Sequence, residues 1–89
     1  MPARKVKITN KLGLHARAAA RFVQTASRFG ADVNVAYNGK SVSGKSIMSI
    51  MMLAATCGSE LEISASGSDE AHALDELEAL VRDRFGEDE

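Results

Sequence analysis

Polar and apolar residues alternate over residues 5–9, 32–37 and 60–66, a pattern typical of half-buried strands. Asn38-Gly39 predicts a two-residue hairpin, because this pair readily adopts the two positive φ angles of a type I′ turn. The hairpin implies a fourth strand directly after the turn. This turn pairs Tyr37 with Lys40 and Val35 with Val42. Both valines then lie on one face of the sheet, so turn and pattern agree.

Apolar residues recur every three or four positions in two other stretches, which predicts amphipathic helices. The first helix covers about residues 16–28, is followed by Gly30, and has the apolar stripe Ala19, Phe22, Val23, Ala26 and Phe29. The last helix begins after Ser68 or Asp69 as its N-cap and has the stripe Leu74, Leu77, Val81 and Phe85. The acidic tail Glu87-Asp88-Glu89 is expected to be frayed and solvated.

A helix between these two, from Ile47 to about Thr56, has Ser46 as its N-cap and Gly58 after its end. It is apolar nearly all round, so one stripe can face the core and the rest either fills gaps in the core or forms a partner surface. The expected inward stripe is Ile47, Ile50, Met51 and Ala54.

The element order is therefore β-α-β-β-α-β-α. This order favours an α+β fold in which a four-stranded antiparallel sheet has three helices on one face. The length of 89 residues suggests a single domain over residues 1–89.

Composition excludes several classes of protein. The single cysteine, Cys57, allows no internal disulfide, and residues 1–5 lead into no apolar run, so we expect a cytoplasmic protein with no signal peptide and no membrane insertion. Nine of the eleven Lys and Arg residues lie within residues 1–45, but the interleaved aromatic residues of a nucleic-acid binder are missing. His15 and His72 are the only histidines, and no metal site is indicated.

His15 lies two residues after Gly13, where the first helix should begin. The first backbone N–H groups of a helix are unpaired and carry partial positive charge, which suits a phosphate group. A neutral imidazole has a nucleophilic nitrogen near pH 7, and a guanidinium matches phosphate geometry. His15 and Arg17 are therefore candidates for accepting and steadying a phosphoryl group.

Two motifs, Leu14-His15-Ala16-Arg17 and Gly44-Lys45-Ser46-Ile47-Met48, resemble those of HPr, the histidine-containing phosphocarrier family of the bacterial phosphotransferase system. The resemblance covers essentially the whole chain and implies an open-faced sandwich with strand order 1-4-2-3. Ala18 stands where the family usually has proline. Alanine keeps the helix and adds one N–H near the site.

The resemblance also implies a function. His15 would accept a phosphoryl group from enzyme I, which takes it from phosphoenolpyruvate, and would donate it to an EIIA-type protein. Arg17 and the backbone N–H groups of Ala16 and Ala18 would stabilise the phosphoryl group. The protein would be a monomeric relay that needs no cofactor, and not an enzyme.

Ser46 matches the family's regulatory serine, which an HPr kinase/phosphorylase phosphorylates in many bacteria. Phosphate at Ser46, beside the apolar helix, would weaken docking of partners by adding charge. The candidate docking residues are Leu14, Met48, Met51 and Met52.

Two alternatives remain. Residues 39–46 match the phosphate-loop pattern G-x-x-x-x-G-K-[ST], which suggests nucleotide binding. However, Gly39, the first glycine of that match, belongs to the predicted hairpin turn. The chain is also short for the large parallel sheet of nucleotide-binding folds with a phosphate loop. The other alternative is a regulatory interaction module controlled only by Ser46 phosphorylation.

Overall fold

The computed structural model describes residues 2–87. Over these residues the chain forms four strands, three α-helices and a final short turn. In chain order they are β1 (Ala3–Lys7), α1 (Ala16–Ala26), β2 (Asp32–Tyr37), β3 (Lys40–Ser43), α2 (Ile47–Met52), β4 (Glu60–Ser66), α3 (Glu70–Arg82) and the C-terminal turn (Arg84–Gly86).

The strands form one antiparallel sheet in the order β1-β4-β2-β3, and the helices cover one face of it, so the fold class and the strand order are both confirmed. The predicted hairpin register is also confirmed, because Tyr37 pairs with Lys40 and Val35 with Val42. Asn38 and Gly39 have φ angles of 51° and 83°. These are the two positive values that the type I′ turn requires.

The core lies between the sheet and the helices and contains the whole predicted stripe of the last helix. Of the predicted stripe of the first helix, Ala19, Phe22 and Ala26 belong to the core, Val23 is half-buried against it, and Phe29 is buried outside this cluster. Phe22 of α1 and Leu77 of α3 are fully buried, as are Val35 and Ile63 of the sheet. The helix α1 ends at Ala26, two residues before the predicted end, and β1 begins at Ala3, two residues before its predicted start. Such shifts at element ends are expected because end residues lack part of their hydrogen bonding.

The predicted inward stripe of α2 was right at Ile50 but wrong at Ile47, Met51 and Ala54. Ile50, Leu53 and Ala55 are buried, whereas Ile47 and Met51 are exposed. The helix stops at Met52, and the chain leaves it through Ala54, whose φ angle is +54°. After this early exit Leu53 and Ala55 are buried while Ala54 is exposed, a change that helical spacing alone does not predict.

Phe85 is buried as predicted, but it does not continue α3. The helix ends at Arg82, and Arg84, Phe85 and Gly86 all have positive φ angles, of 55°, 54° and 79°. Three successive left-handed residues reverse the chain, so Phe85 enters the core and Glu87 is directed toward the start of α1.

Asp69 occupies the N-cap position of α3, but its side chain does not cap the helix. Its two carboxylate oxygens accept the N–H groups of Gly30 and Ala31, each at 2.9 Å, and so tie the start of α3 to the chain before β2. The Gly30 hydrogen bond, opposed by desolvation and assisted by Ala31, holds the pKa of Asp69 below its ordinary value.

We expect Asp69→Asn to lower the urea midpoint of unfolding at pH 7, because an amide nitrogen cannot accept one of the two N–H bonds. The pKa of Asp69 is lower in the folded than in the unfolded chain. Ionised Asp69 therefore stabilises the fold above its unfolded pKa, and this contribution is lost as pH falls through the folded pKa.

The difference in midpoint between wild type and Asp69→Asn should therefore shrink as pH is lowered from 7 to 3. Asp32→Asn is the matched control, since Asp32 is exposed on β2 and loses the same charge. An equal difference at both pH values would contradict this account of Asp69.

Candidate functional site

The loop between β1 and α1 positions His15 through two contacts with the segment after α2. The N–H of Leu14 donates to the carbonyl oxygen of Ala55 at 2.9 Å. Gly13 has a φ angle of +69°, and a Cβ atom at this position would lie 2.7 Å from the same oxygen. Glycine is therefore required here both for its backbone angle and for the close approach.

His15 is itself the N-cap of α1. Its backbone is extended, its carbonyl oxygen accepts the N–H of Ala19 at 2.9 Å, and its Nδ1 atom accepts the N–H of Arg17 at 3.2 Å. The imidazole therefore satisfies one of the unpaired donors at the helix start, a task usually performed by Ser, Thr, Asp or Asn. This bond directs the Nδ1 lone pair at the positive end of the helix.

The other ring nitrogen of His15 contacts the C-terminal segment. Its Nε2 atom lies 2.5 Å from Oε2 of Glu87, and Oε1 of Glu87 accepts the side-chain N–H of Asn10 at 2.9 Å. The Glu87 side chain is only 10% exposed. The expectation of a solvated tail was therefore wrong at Glu87, because His15 and Asn10 bind its carboxylate. Asp88 and Glu89 lie outside the described residues.

The electrostatics of this contact favour an ionised carboxylate. Burial of Glu87 favours its neutral form, but hydrogen bonds from Asn10 and His15 and the positive charge of Arg17 outweigh burial and hold the pKa of Glu87 below its ordinary value. A carboxylate can only accept, so Nε2 carries the ring proton and Nδ1 keeps its lone pair. The surroundings thus place the Nδ1 lone pair at the start of α1.

The remaining residues predicted for this site are placed in different ways. Arg17 and Ala16 are exposed in the first turn of α1, next to the ring. Ala18 is fully buried in the core, so its methyl group packs inward. Its N–H belongs to the same first turn, and the Arg17 N–H is the donor that reaches the ring.

The predicted docking residues divide into two groups. Met48 and Met52 are 69% and 71% exposed, and Met51 is exposed beside them. Leu14 is only 5% exposed and belongs to the core, so its assignment to the docking surface was wrong. Its side chain anchors the loop, which leaves it unavailable to a partner.

Leu12, which the sequence analysis missed, is 68% exposed in the loop that carries His15. The sequence indicates only that a large apolar residue directly precedes Gly13. Loops have no periodicity from which to predict whether such a side chain is buried or exposed. We call the exposed residues Leu12, Ile47, Met48, Met51 and Met52 the apolar patch.

Ser46 is the N-cap of α2, as predicted, and its Oγ atom accepts the N–H of Ser49 at 3.3 Å. The surrounding residues do not form a phosphate loop. The N–H of Gly44 donates to Val33, and Nζ of Lys45 donates to the carbonyl oxygen of Phe29 at 2.8 Å. Backbone carbonyls therefore occupy two of the donors that a phosphate loop would offer to a nucleotide, the Gly44 N–H and the lysine ammonium.

Within residues 2–87, no group of three or more His, Cys, Asp and Glu side chains is arranged to hold a metal ion. The helices in the same range are all too short or too polar to cross a membrane. His72, predicted to be solvated, is exposed on α3, with its ring edge-on to Phe29 at a centroid distance of 5.2 Å.

Comparisons with known proteins agree with this geometry. A family model described as the PTS HPr component phosphorylation site matches residues 2–83. The phosphocarrier protein HPr of Pseudomonas aeruginosa is 51% identical to this chain over 90 residues that cover 100% of both. The crystal structure of HPr-C-His from Thermoanaerobacter tengcongensis has a TM-score of 0.95 at 45% identity, covering 100% of each chain. An HPr dimer from the same organism has a TM-score of 0.78 at 46% identity, covering 98% of this chain and 100% of that one.

The fold and the site define a small α+β protein in which a partly exposed histidine caps the start of a helix. The chain belongs to the HPr family, the phosphocarrier proteins of the phosphotransferase system. It is accordingly a carrier of phosphoryl groups and not an enzyme, and phosphohistidine chemistry and a role in sugar transport follow from the family.

We expect Gly13→Ala to destabilise the fold by roughly 1–3 kcal/mol. The new methyl group must displace the Ala55 carbonyl, and alanine must adopt the left-handed backbone of this position. Urea unfolding at pH 7 measures this loss. Gly30→Ala is the control, since a Cβ atom at Gly30 meets no atom within 4 Å. A loss at Gly13 no larger than that at Gly30 would show that the close approach is unimportant.

Proposed function

We propose that His15 accepts a phosphoryl group on Nδ1 from phosphorylated enzyme I, which obtains it from phosphoenolpyruvate, and passes it to an EIIA-type protein. The observation that carries this proposal is the hydrogen bond from the Arg17 N–H to Nδ1. In this bond the Nδ1 lone pair points at the start of α1, where the backbone N–H groups that would receive a phosphoryl group lie.

The first turn of α1 would stabilise the phosphorylated histidine. The backbone N–H groups of Ala16, Arg17 and Ala18 lie at the positive end of the helix, where phosphate oxygens can accept them. The guanidinium of Arg17, exposed in the same turn, adds a positive charge and donors in a geometry suited to phosphate. These groups hold the phosphoryl group without enclosing it.

The exposure of the site suits a relay. A carrier must release its phosphoryl group as readily as it receives it, so tight binding of either state would slow the cycle. His15 is only partly buried, and the apolar patch offers a docking surface beside the loop that carries it. We propose a monomer of one domain that works in the cytoplasm, where it meets enzyme I and EIIA-type proteins in turn.

Incubation with enzyme I and phosphoenolpyruvate should add one phosphoryl group to wild type and none to His15→Ala, as measured by intact mass. The adduct should be lost in acid and persist in base, as expected for a phosphohistidine. His72→Ala is the matched control and should be phosphorylated like wild type, because the His72 ring contacts Phe29 beyond the C-terminal end of α1, whereas His15 caps the N-terminal end. A phosphorylated His15→Ala protein would disprove the assignment.

We also propose that phosphorylation of Ser46 by an HPr kinase/phosphorylase regulates the carrier. Ser46 immediately precedes α2, and Ile47, Met48, Met51 and Met52 of that helix supply most of the apolar patch. A phosphate there would place about two negative charges beside an apolar docking surface, where a partner would have to desolvate them.

Ser46→Asp should therefore slow phosphorylation of His15 by enzyme I about tenfold, equivalent to about 1.4 kcal/mol of docking free energy. Ser68→Asp, an exposed serine before α3, is the matched control and should react at the wild-type rate. Equal rates for all three proteins would reject this regulation. If instead His15 accepts no phosphate in wild type but Ser46 is phosphorylated by the kinase, the regulatory module is the better description.

A further inference from the structure

We propose that the exposed edge of β3, together with a groove between β3 and α2, binds an extended segment of a partner protein as a fifth strand of the sheet. None of the residues that line the groove belongs to α1 or to the loop that carries His15. The bound segment would therefore tether this protein to a partner while His15 stays accessible. The inference does not rest on the function proposed for His15.

The backbone of β3 is unpaired on one side. β3 is the last strand in the sheet order, so its only neighbouring strand within residues 2–87 is β2. Lys40 directly follows the two-residue turn, so Lys40 and, two residues later, Val42 exchange N–H and C=O bonds with β2. The alternate residues, Ser41 and Ser43, are exposed and direct these backbone groups away from the sheet. Such a row of donors and acceptors is a template for another strand.

The two edges of the sheet differ in charge. β1, at the opposite edge, has three cationic side chains among its five residues, at Arg4, Lys5 and Lys7. Charged side chains, lysine above all, are a common means of keeping a sheet edge from pairing with another chain. The stretch from Ser41 to Ser43 contains neither a charged residue nor a proline. The sequence therefore discourages strand addition at β1 and permits it at β3.

A groove runs beside this edge on the face of the sheet that carries the helices. Its volume is about 470 Å³, within the size range of ligand-binding clefts. The residues that line it come from β3 and from α2 with the residue after it: Lys40, Ser41, Val42, Ser49, Met52 and Leu53. The side chains of a strand alternate between the two faces of a sheet, so every second side chain of a strand added to β3 would point toward this groove. Three of the lining residues are apolar, so these side chains should be apolar too.

The edge and the groove together specify the occupant. The outward N–H and C=O groups of β3 are matched by another extended backbone, and the groove selects its alternate side chains. On the open face of the sheet the added strand would lie beside Ser41 and Ser43, which favours polar side chains there. Lys40 makes no ion pair within residues 2–87, so an acidic residue in the segment would complement its charge. The expected segment is extended, alternately apolar and polar, and acidic.

A second copy of this chain fits the edge less well. β3 has only four residues and no acidic side chain, so a second β3 would offer Lys40 no opposite charge. Two strands of this length also bury much less than the roughly 1,200 Å² of a stable interface between proteins. These two limits favour a segment of a different protein.

The test uses the full chain labelled with ¹⁵N and a synthetic probe, the heptapeptide acetyl-Glu-Val-Thr-Val-Thr-Val-Glu-amide, which has the expected alternation and charge. Added peptide should shift the backbone amide resonances of Ser41 and Ser43 in a saturable manner. It should also slow the exchange of these two amide protons with solvent by about tenfold or more, because they become hydrogen-bonded. The amides of β1, at the other edge, should not shift.

Two modified peptides separate strand pairing from apolar adsorption. Each is N-methylated at alternate residues, one in each register. Methyl groups in one register remove the donors that face β3, and in the other register they point away from it, so binding should be lost with one peptide and kept with the other. Equal binding of both peptides would overturn the proposal, as would the absence of any shift at Ser41 and Ser43 with the unmodified peptide in millimolar excess.

A variant tests the groove itself. Ser49→Glu places a carboxylate among the apolar side chains that line the groove and should weaken peptide binding about tenfold. Ser68→Glu, at an exposed serine before α3, is the matched control and should bind like wild type. Wild-type affinity in Ser49→Glu would contradict the role of the groove, and the N-methylated pair decides the question if this variant does not fold. If concentrating the protein alone shifts the Ser41 and Ser43 amides, a second copy covers the edge and the assignment to a partner is wrong.

Discussion

One hydrogen bond, from the backbone of Arg17 to Nδ1 of His15, links the fold to the chemistry of this protein. It completes the start of α1 and at the same time orients the ring of His15. Its geometry depends on the loop before it, where Gly13 allows a close approach to Ala55 and Leu14 is buried. A side chain used in this way is held in place by the helix it caps, so the ring of His15 has a fixed orientation in the free protein.

The C-terminal turn, which holds Glu87 at the His15 ring, has an unfavourable backbone conformation. Each of the two non-glycine residues with left-handed backbone, Arg84 and Phe85, costs roughly 1–2 kcal/mol. Burial of the Phe85 side chain contributes about 1.5–3 kcal/mol. The hydrogen bond from Arg21 to the Phe85 carbonyl contributes a similar amount, because its donor is charged. The gains match or exceed the strain, so the turn is stable although its backbone is unfavourable.

Local rules account for most of the fold but not for the contacts that complete the site. Alternation, the Asn38-Gly39 turn and the N-cap serine of α2 each depend on residues close in sequence, and each prediction was confirmed. The glycine at position 13 and the helical pattern after it also predicted that His15 lies at the start of a helix, as the structure confirms. The contact between His15 and Glu87 follows instead from a reversal at Phe85 and from packing across the whole chain. No spacing rule connects two residues that far apart, and an acidic tail normally indicates solvent.

The restriction of sequence rules to nearby residues also explains the wrong predictions for α2 and for the loop before α1. Helical spacing assigns directions to side chains only while the helix continues, and α2 ends at Met52. Beyond it, the backbone at Ala54 decides which residues face inward. Leu12 and Leu14 lie in a loop with no periodicity, where the same residue type is exposed at one position and buried two positions later.

The strand order has a consequence for how the chain acquires its structure during synthesis. β1 pairs with β4 and not with its neighbours in sequence, so the sheet cannot close until the segment containing Ser64 has left the ribosome. Folds dominated by such distant contacts form slowly and leave apolar surface uncovered in the meantime. Phe85 and Glu87 emerge later still. On a nascent chain the histidine is therefore among the first residues exposed to the cell and among the last to acquire its complete surroundings.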